Sequence, residues 1–288
     1  MSRAVVAQHV LTLVAAEEGG LAEAHAPTGP VRWIAPGKAL EVPLENAPPK
    51  GFVGDLRAKL DPERVDVFLA PAQGRVKKLL IADMDATIVE GETLDDLADL
   101  AGIGPQVATI TARAMAGELD FAAALRERVG LLEGLEEAAL DQTLAAMRLT
   151  RGARALVDSM RAAGARCILV SGGFTFFTQA IAARAGFHAH HGNVLEIQGG
   201  RLTGRVVDPI LDKDAKLAFL HQYTKELGIG PEGVLALGDG ANDIPMLRAA
   251  GLGIGFRPKP AVAAAVDNII VHSGLDAALY AQGLTPLS

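Results

Sequence analysis

The sequence predicts an α/β fold: a parallel-sheet core with helices on both faces, a helical insert after the first core strand, and a small N-terminal α+β segment. Three observations predict it. From about residue 78 onward, short apolar runs alternate with helical patterns, as in repeated βαβ units. Between the first two runs, residues 92–150 are dense in Ala, Leu, Glu and Arg and poor in Pro, too long a stretch for a simple crossover. Before residue 76 the chain changes character, with prolines at 27, 30, 36, 43, 48 and 49.

The core strands are expected at Leu79 to Ala82, Arg166 to Val170, Val234 to Leu237, Gly253 to Phe256 and Asn268 to Val271, each short and rich in β-branched residues or leucine. This is a Rossmann-like arrangement over 76–288. The insert at 92–150 reads as a small helical cap over the strand ends. Asn193 to Ile197 and Arg201 to Val207 flank Gly199-Gly200 and read as a β-hairpin. Residues 1–75 form the accessory domain, with strands expected near Val5 to Val14 and Val65 to Leu69, and its role is left open.

A chain of 288 residues, 50% apolar, buries a substantial core. A net charge of -7, with no basic cluster, argues against nucleic-acid binding. The single cysteine, Cys167, lies in an apolar run and is expected to be a buried core thiol. No apolar run is long enough to span a bilayer, and the first thirty residues lack a signal-peptide pattern, so a cytoplasmic location away from membranes is expected.

Three strands end in residues suited to phosphate chemistry. Asp83-Met84-Asp85-Ala86-Thr87 places two carboxylates directly after a buried strand. Ser171-Gly172-Gly173 offers a hydroxyl and unhindered backbone N–H groups where a helix begins. Gly238-Asp239-Gly240-Ala241-Asn242-Asp243 adds two carboxylates in a glycine-bearing loop. A fourth piece is Lys216, near the start of a helical stretch. Taken singly, each also reads as a turn, a helix cap or a surface charge. Together, convergent carboxylates at strand ends point to a hard cation, and the lysine and glycines to a phosphoryl group. His188, His190 and His191 are expected to be structural, because a hard oxygen-bound metal does not call for them.

The four pieces in this order resemble the phosphatases of the haloacid dehalogenase (HAD-like) superfamily. Within it, residues from about 78 onward resemble the bacterial phosphoserine phosphatases. The stretches that carry this are Asp83 to Gly102, Arg113 to Phe121, Leu125 to Val129, Ser171 to Phe177 and Gly238 to Ala250.

The resemblance implies Asp83 as nucleophile and Asp85 as general acid, then base. It implies Mg2+ held by Asp83, the Asp85 backbone carbonyl and Asp239, with Asp243 supporting that shell. Ser171, Gly172, Lys216 and Asn242 would hold phosphate, Glu92 and Arg128 the ammonium and carboxylate of O-phosphoserine, with Met115, Phe121 and Gly173 completing the pocket. It further implies the last step of serine biosynthesis and a homodimer. Ala86 departs from the family, which commonly carries serine there. The rival readings are a HAD-like phosphatase for another small phosphomonoester, and a non-catalytic amino-acid-binding regulatory protein.

Overall fold

The computed structural model describes residues 7–287, apart from the side chains of Met115 and Lys213. At the N-terminus β1 (His9–Ala15), β2 (Arg32–Ala35), β3 (Ala39–Leu44) and β4 (Val65–Pro71) form an antiparallel sheet in the order β2-β3-β1-β4, with helix α1 (Phe52–Leu60) before β4. Alternation along the strands gives the sheet two apolar faces. Leu11, Leu13, Val65 and Val67 pack with Val53 and Leu60 of α1, whereas Val14, Phe68 and Ala70 join the large core of the rest of the chain. β2, which lies between Pro30 and Pro36, and β3, which contains Pro43, have no counterpart in the sequence reading. The strand expected near Val5 starts at His9, and Val5 itself lies outside the described residues.

Polar groups seal this sheet onto the remainder. The Asp66 carboxylate, fully buried, accepts from the N–H groups of Val271, His272 and Ser273 at 2.8, 3.2 and 2.8 Å. The Asn268 amide pairs with Leu69 N–H and C=O at 2.8 and 3.1 Å, completing the backbone bonding of β4.

The second sheet has seven strands: β5 (Leu79–Ala82), β6 (Arg166–Phe174), β7 (Ala189–Gln198), β8 (Arg201–Val207), β9 (Val234–Gly238), β10 (Leu252–Phe256) and β11 (Asn268–Ile270). Their order is β11-β10-β9-β5-β6-β7-β8, parallel except for the β7–β8 hairpin. All four residues of β5 are buried, because both faces of a parallel sheet are covered. Leu80 and Ala82 pack toward α6 (Ala153–Ala162) and α7 (Thr175–Ala185), and Leu79 and Ile81 toward α8 (Lys213–Leu227) and α9 (Ile244–Ala249).

The cap consists of α2 (Thr93–Leu100), α3 (Gly104–Met115), α4 (Phe121–Gly130) and α5 (Ala138–Ala146). Its two connections to the core run side by side. Glu90 N–H donates to Arg148 C=O at 3.0 Å and Thr150 N–H to Ile88 C=O at 2.9 Å.

Cys167 on β6 is fully buried, and burial pushes its thiol up to about 12. At pH 8 about 10⁻⁴ of it is thiolate, the reactive form. A disulfide reagent is expected to label it only after denaturant is added. Rapid stoichiometric labelling of the native protein would contradict the packing of β6.

Candidate active site

The chain leaves β5 toward β6 and later returns to β9 on the other side of β5, so a crevice opens beyond the carboxyl ends of these strands. Register brings the motifs level: Ala82 pairs with Leu169 on one side and Leu237 on the other. Asp83, which donates its N–H to Leu237 C=O at 3.0 Å, therefore stands beside the loop that carries Asp239 and Asp243.

Lys216 reaches this point from the first turn of α8 and is 1% exposed. Its Nζ lies 2.8 Å from Asp83 Oδ1 and 2.6 Å from Asp243 Oδ1. Asp243, fully buried, turns its other oxygen to the N–H groups of Asp239 and Gly240 at 3.2 and 3.1 Å. Both Asp243 oxygens are thus engaged, one by Lys216 and the other by the loop backbone. Met84 N–H donates to Asp83 Oδ1 at 2.8 Å, which fixes the rotation of that carboxylate.

The charges oppose one another strongly. Burial, then the Asp243 charge, raises the Asp83 carboxyl well above its ordinary range, against the pull of Lys216. Burial also raises Asp239, with Lys259 opposing. Lys216 is penalised by burial, but Asp243 and Asp83 outweigh this and hold it protonated. One oxygen each of Asp83, Asp239 and Asp243 lies within 4.8 Å of the others. Such hard oxygen donors, with carboxylates destabilised by burial, fit a divalent cation.

Asp85 sits in a kink, with φ -65° and ψ 138°, followed by Ala86 in the left-handed region at φ 51°. Ala86 N–H donates to Gly91 C=O at 2.8 Å, which closes this loop. The Asp85 carboxylate accepts from Thr93 N–H at 2.9 Å, from the Thr93 hydroxyl, and from Ser171 Oγ at 2.9 Å. Burial raises its pKa against the Thr93 bonds, and the Glu92 charge adds to the rise. Ser171 in turn accepts from Gly173 N–H at 2.8 Å. A Cβ on Gly173 would meet Asp85 Oδ2 at 2.9 Å and Ser171 Oγ at 3.1 Å, so a side chain there would press on both groups.

The cap closes over these groups. A Cβ on Gly172 would meet Phe121 Cζ of α4 at 3.0 Å. Glu92 caps α2 and its Oε1 lies 2.9 Å from Lys259 Nζ. Arg128, half-buried on α4, donates to Ala124 C=O at 3.2 Å and is close enough to Asp95 and Glu92 to feel their charge. Asn242 is half-buried in the loop after β9. Met115 ends α3, and its side chain lies outside the described residues.

Two residues at the site escaped sequence reasoning. Thr93 gives Asp85 two hydrogen bonds, and nothing in the spacing marks it. Lys259 pairs with both Glu92 and Asp239, and its one signal is its place between Pro258 and Pro260 after a core strand. The histidines have structural partners: His188 Nδ1 accepts from Cys167 N–H, His190 meets the Thr178 hydroxyl, and His191 meets Tyr223 and stacks on Phe219.

Residues 80–248 match the family model of haloacid dehalogenase-like hydrolases. A phosphoserine phosphatase from Archaeoglobus fulgidus is 41% identical over 222 residues, covering 76% of this chain and 64% of that protein, so the chain spans less than two thirds of this relative's length. A HAD family hydrolase from Salmonella enterica serovar Typhi superposes with a TM-score of 0.84 at 29% identity, over 95% of this chain and 97% of that one. A phosphoserine phosphatase solved as an analogue of its phospho-aspartyl intermediate superposes with a TM-score of 0.66 at 36% identity, over 71% of this chain and 98% of that one. The chain belongs to the haloacid dehalogenase-like hydrolases and, among them, to the phosphoserine phosphatase family.

Proposed function

We propose that the protein hydrolyses O-phosphoserine to serine and phosphate with Mg2+, through an aspartyl-phosphate on Asp83. The observation that carries this is the meeting of two half-sites. Asp83 is paired with Lys216, and Arg128 of the cap lies near Glu92, which Lys259 links to Asp239. The first pair suits a phosphate, and the second suits the ammonium and carboxylate of an amino acid. The names of the relatives from Archaeoglobus fulgidus and among the solved structures support the same reading.

In this reading Asp83 attacks phosphorus and the bond from phosphorus to the serine oxygen breaks. That oxygen takes a proton from Asp85, whose raised pKa suits it to be a general acid. Asp85 then removes a proton from water, which attacks phosphorus, frees phosphate and restores the Asp83 carboxylate. Lys216, Ser171, Asn242 and the N–H group of Gly172 would hold the phosphoryl oxygens, with Gly173 beside the substrate. Asp83, the Asp85 carbonyl and Asp239 would hold Mg2+, with Asp243 fixing the loop, and the ion would offset the negative charge between nucleophile and phosphate. Phe121 would shield the serine from water. The reaction would complete serine biosynthesis in the cytoplasm.

Phosphate release is to be measured over phosphoserine, phosphothreonine, sugar phosphates and an aryl phosphate, with and without Mg2+. Phosphoserine is expected to lead and to need the metal. A sugar phosphate in first place would overturn the substrate assignment. In the same assay Arg128→Ala is expected to lower kcat/KM for phosphoserine about 10²-fold, as loss of a charged hydrogen-bonded partner does, and to leave the aryl phosphate within about threefold. Equal losses would remove the case for a carboxylate pocket.

A further inference from the structure

Among the described residues, Lys259 is the one cation at this site that nothing above requires. Its position is fixed from both sides. Its N–H donates to Asp239 C=O at 2.9 Å, prolines flank it, and it caps the short helix α10 (Pro260–Ala263). From there its ammonium lies 2.9 Å from Glu92 Oε1 and 3.1 Å from Asp239 Oδ2. Glu92 belongs to the cap and Asp239 to the core, so a single side chain ties one to the other. Unlike Lys216, 1% exposed, the Lys259 side chain is 55% exposed and can pass into water with little loss of hydration.

We propose that Lys259 is a displaceable internal cation, which in the ligand-free protein occupies the ground claimed by the metal at Asp239 and by the substrate ammonium at Glu92, and so pins the cap to the core. This rests on the reading of Glu92 and Asp239 given under Proposed function. The exchange is chemically even. At Glu92 one primary ammonium replaces another, and at Asp239 a divalent ion replaces a monovalent one. A phosphate ester without an amine displaces nothing from Glu92, so the pin also favours substrates that carry an ammonium. Because exposed pairs are weak, the pin opposes loading only modestly. It keeps the carboxylates from standing unpaired and the cap from opening while the site is empty.

The test uses the whole, metal-free chain and Mg2+ alone, so it needs no turnover and does not depend on the substrate panel. Lys259→Met is expected to tighten Mg2+ binding about threefold to fivefold by calorimetry, since the competitor for Asp239 is gone. The same variant should speed amide hydrogen exchange in α2 and at the hinge around Val89 and Leu149, with Lys259→Arg restoring protection. Unchanged or weaker Mg2+ binding, or unchanged exchange in the cap, overturns the proposal. If the pin is seen and phosphoserine is not cleaved, the substrate assignment fails while the bridge from Glu92 to Asp239 stands.

Discussion

Asp83→Asn is expected to give a folded protein whose phosphate release falls at least about 10⁴-fold, because an amide oxygen does not form the acyl phosphate on which turnover depends. The fold should survive for an electrostatic reason. Burial and Asp243 already raise the Asp83 carboxyl, so in the metal-free protein its charge is held at a cost, and a neutral group of the same shape relieves it. The melting temperature without metal is expected to stay level or rise, while stabilisation by Mg2+ shrinks with the loss of one oxygen ligand. Thermal melts with and without Mg2+, beside a phosphate-release assay, check both halves. Turnover within tenfold of the unaltered protein would sink the covalent mechanism.

Lys216→Met should be the most destabilising of the substitutions considered. It fills the same space but leaves Asp83 and Asp243 facing each other without a countercharge, and stripping one partner from a buried ionic cluster costs about 3–5 kcal/mol. The loss is expected to depend on pH. A carboxyl whose folded pKa is raised binds its proton in the native state while the unfolded chain has released its own. Its contribution is therefore present below the unfolded pKa and is lost as pH rises through the folded one. Asp83 is raised even with Lys216 present, and removing the lysine raises it further. Urea denaturation of the metal-free variant should show a smaller deficit at pH 5.5 than at pH 8. An equal deficit at both would mean that the lysine acts by packing rather than by charge.

How much was legible in the sequence follows from how local each signal is. Asp83 and Asp85 stood out because carboxylates directly after an apolar strand are costly unless they have work to do. Lys216 is one of the lysines of a polar helix start, and only the order of the four motifs singled it out. Its burial arises from packing across the sheet. Lys259 and Thr93 were invisible because their importance lies in contacts with residues far along the chain: 167 and 20 positions for Lys259, eight for Thr93. In the N-terminal segment β2 and β3 were missed because prolines at 30, 36 and 43 read as loop. Yet β3 pairs with both its neighbours, and Pro43 lies opposite Val10. The strand expected to stop at Val170 runs to Phe174, since Gly172 and Gly173 accommodate a break in register rather than an end.

The seam made by Asp66 and Asn268 has a thermodynamic consequence. Phe68, Val14 and Ala70 share an apolar interior with Leu156, Met160 and Leu279, and the peptide groups at Val271 to Ser273 are satisfied by a carboxylate from the other side of the seam. Neither part can lose its structure without exposing apolar surface and unsatisfied amides of the other. The N-terminal sheet and the strands that carry the chemistry are therefore expected to melt together as a single cooperative unit, so that a substitution in either changes the global stability of both.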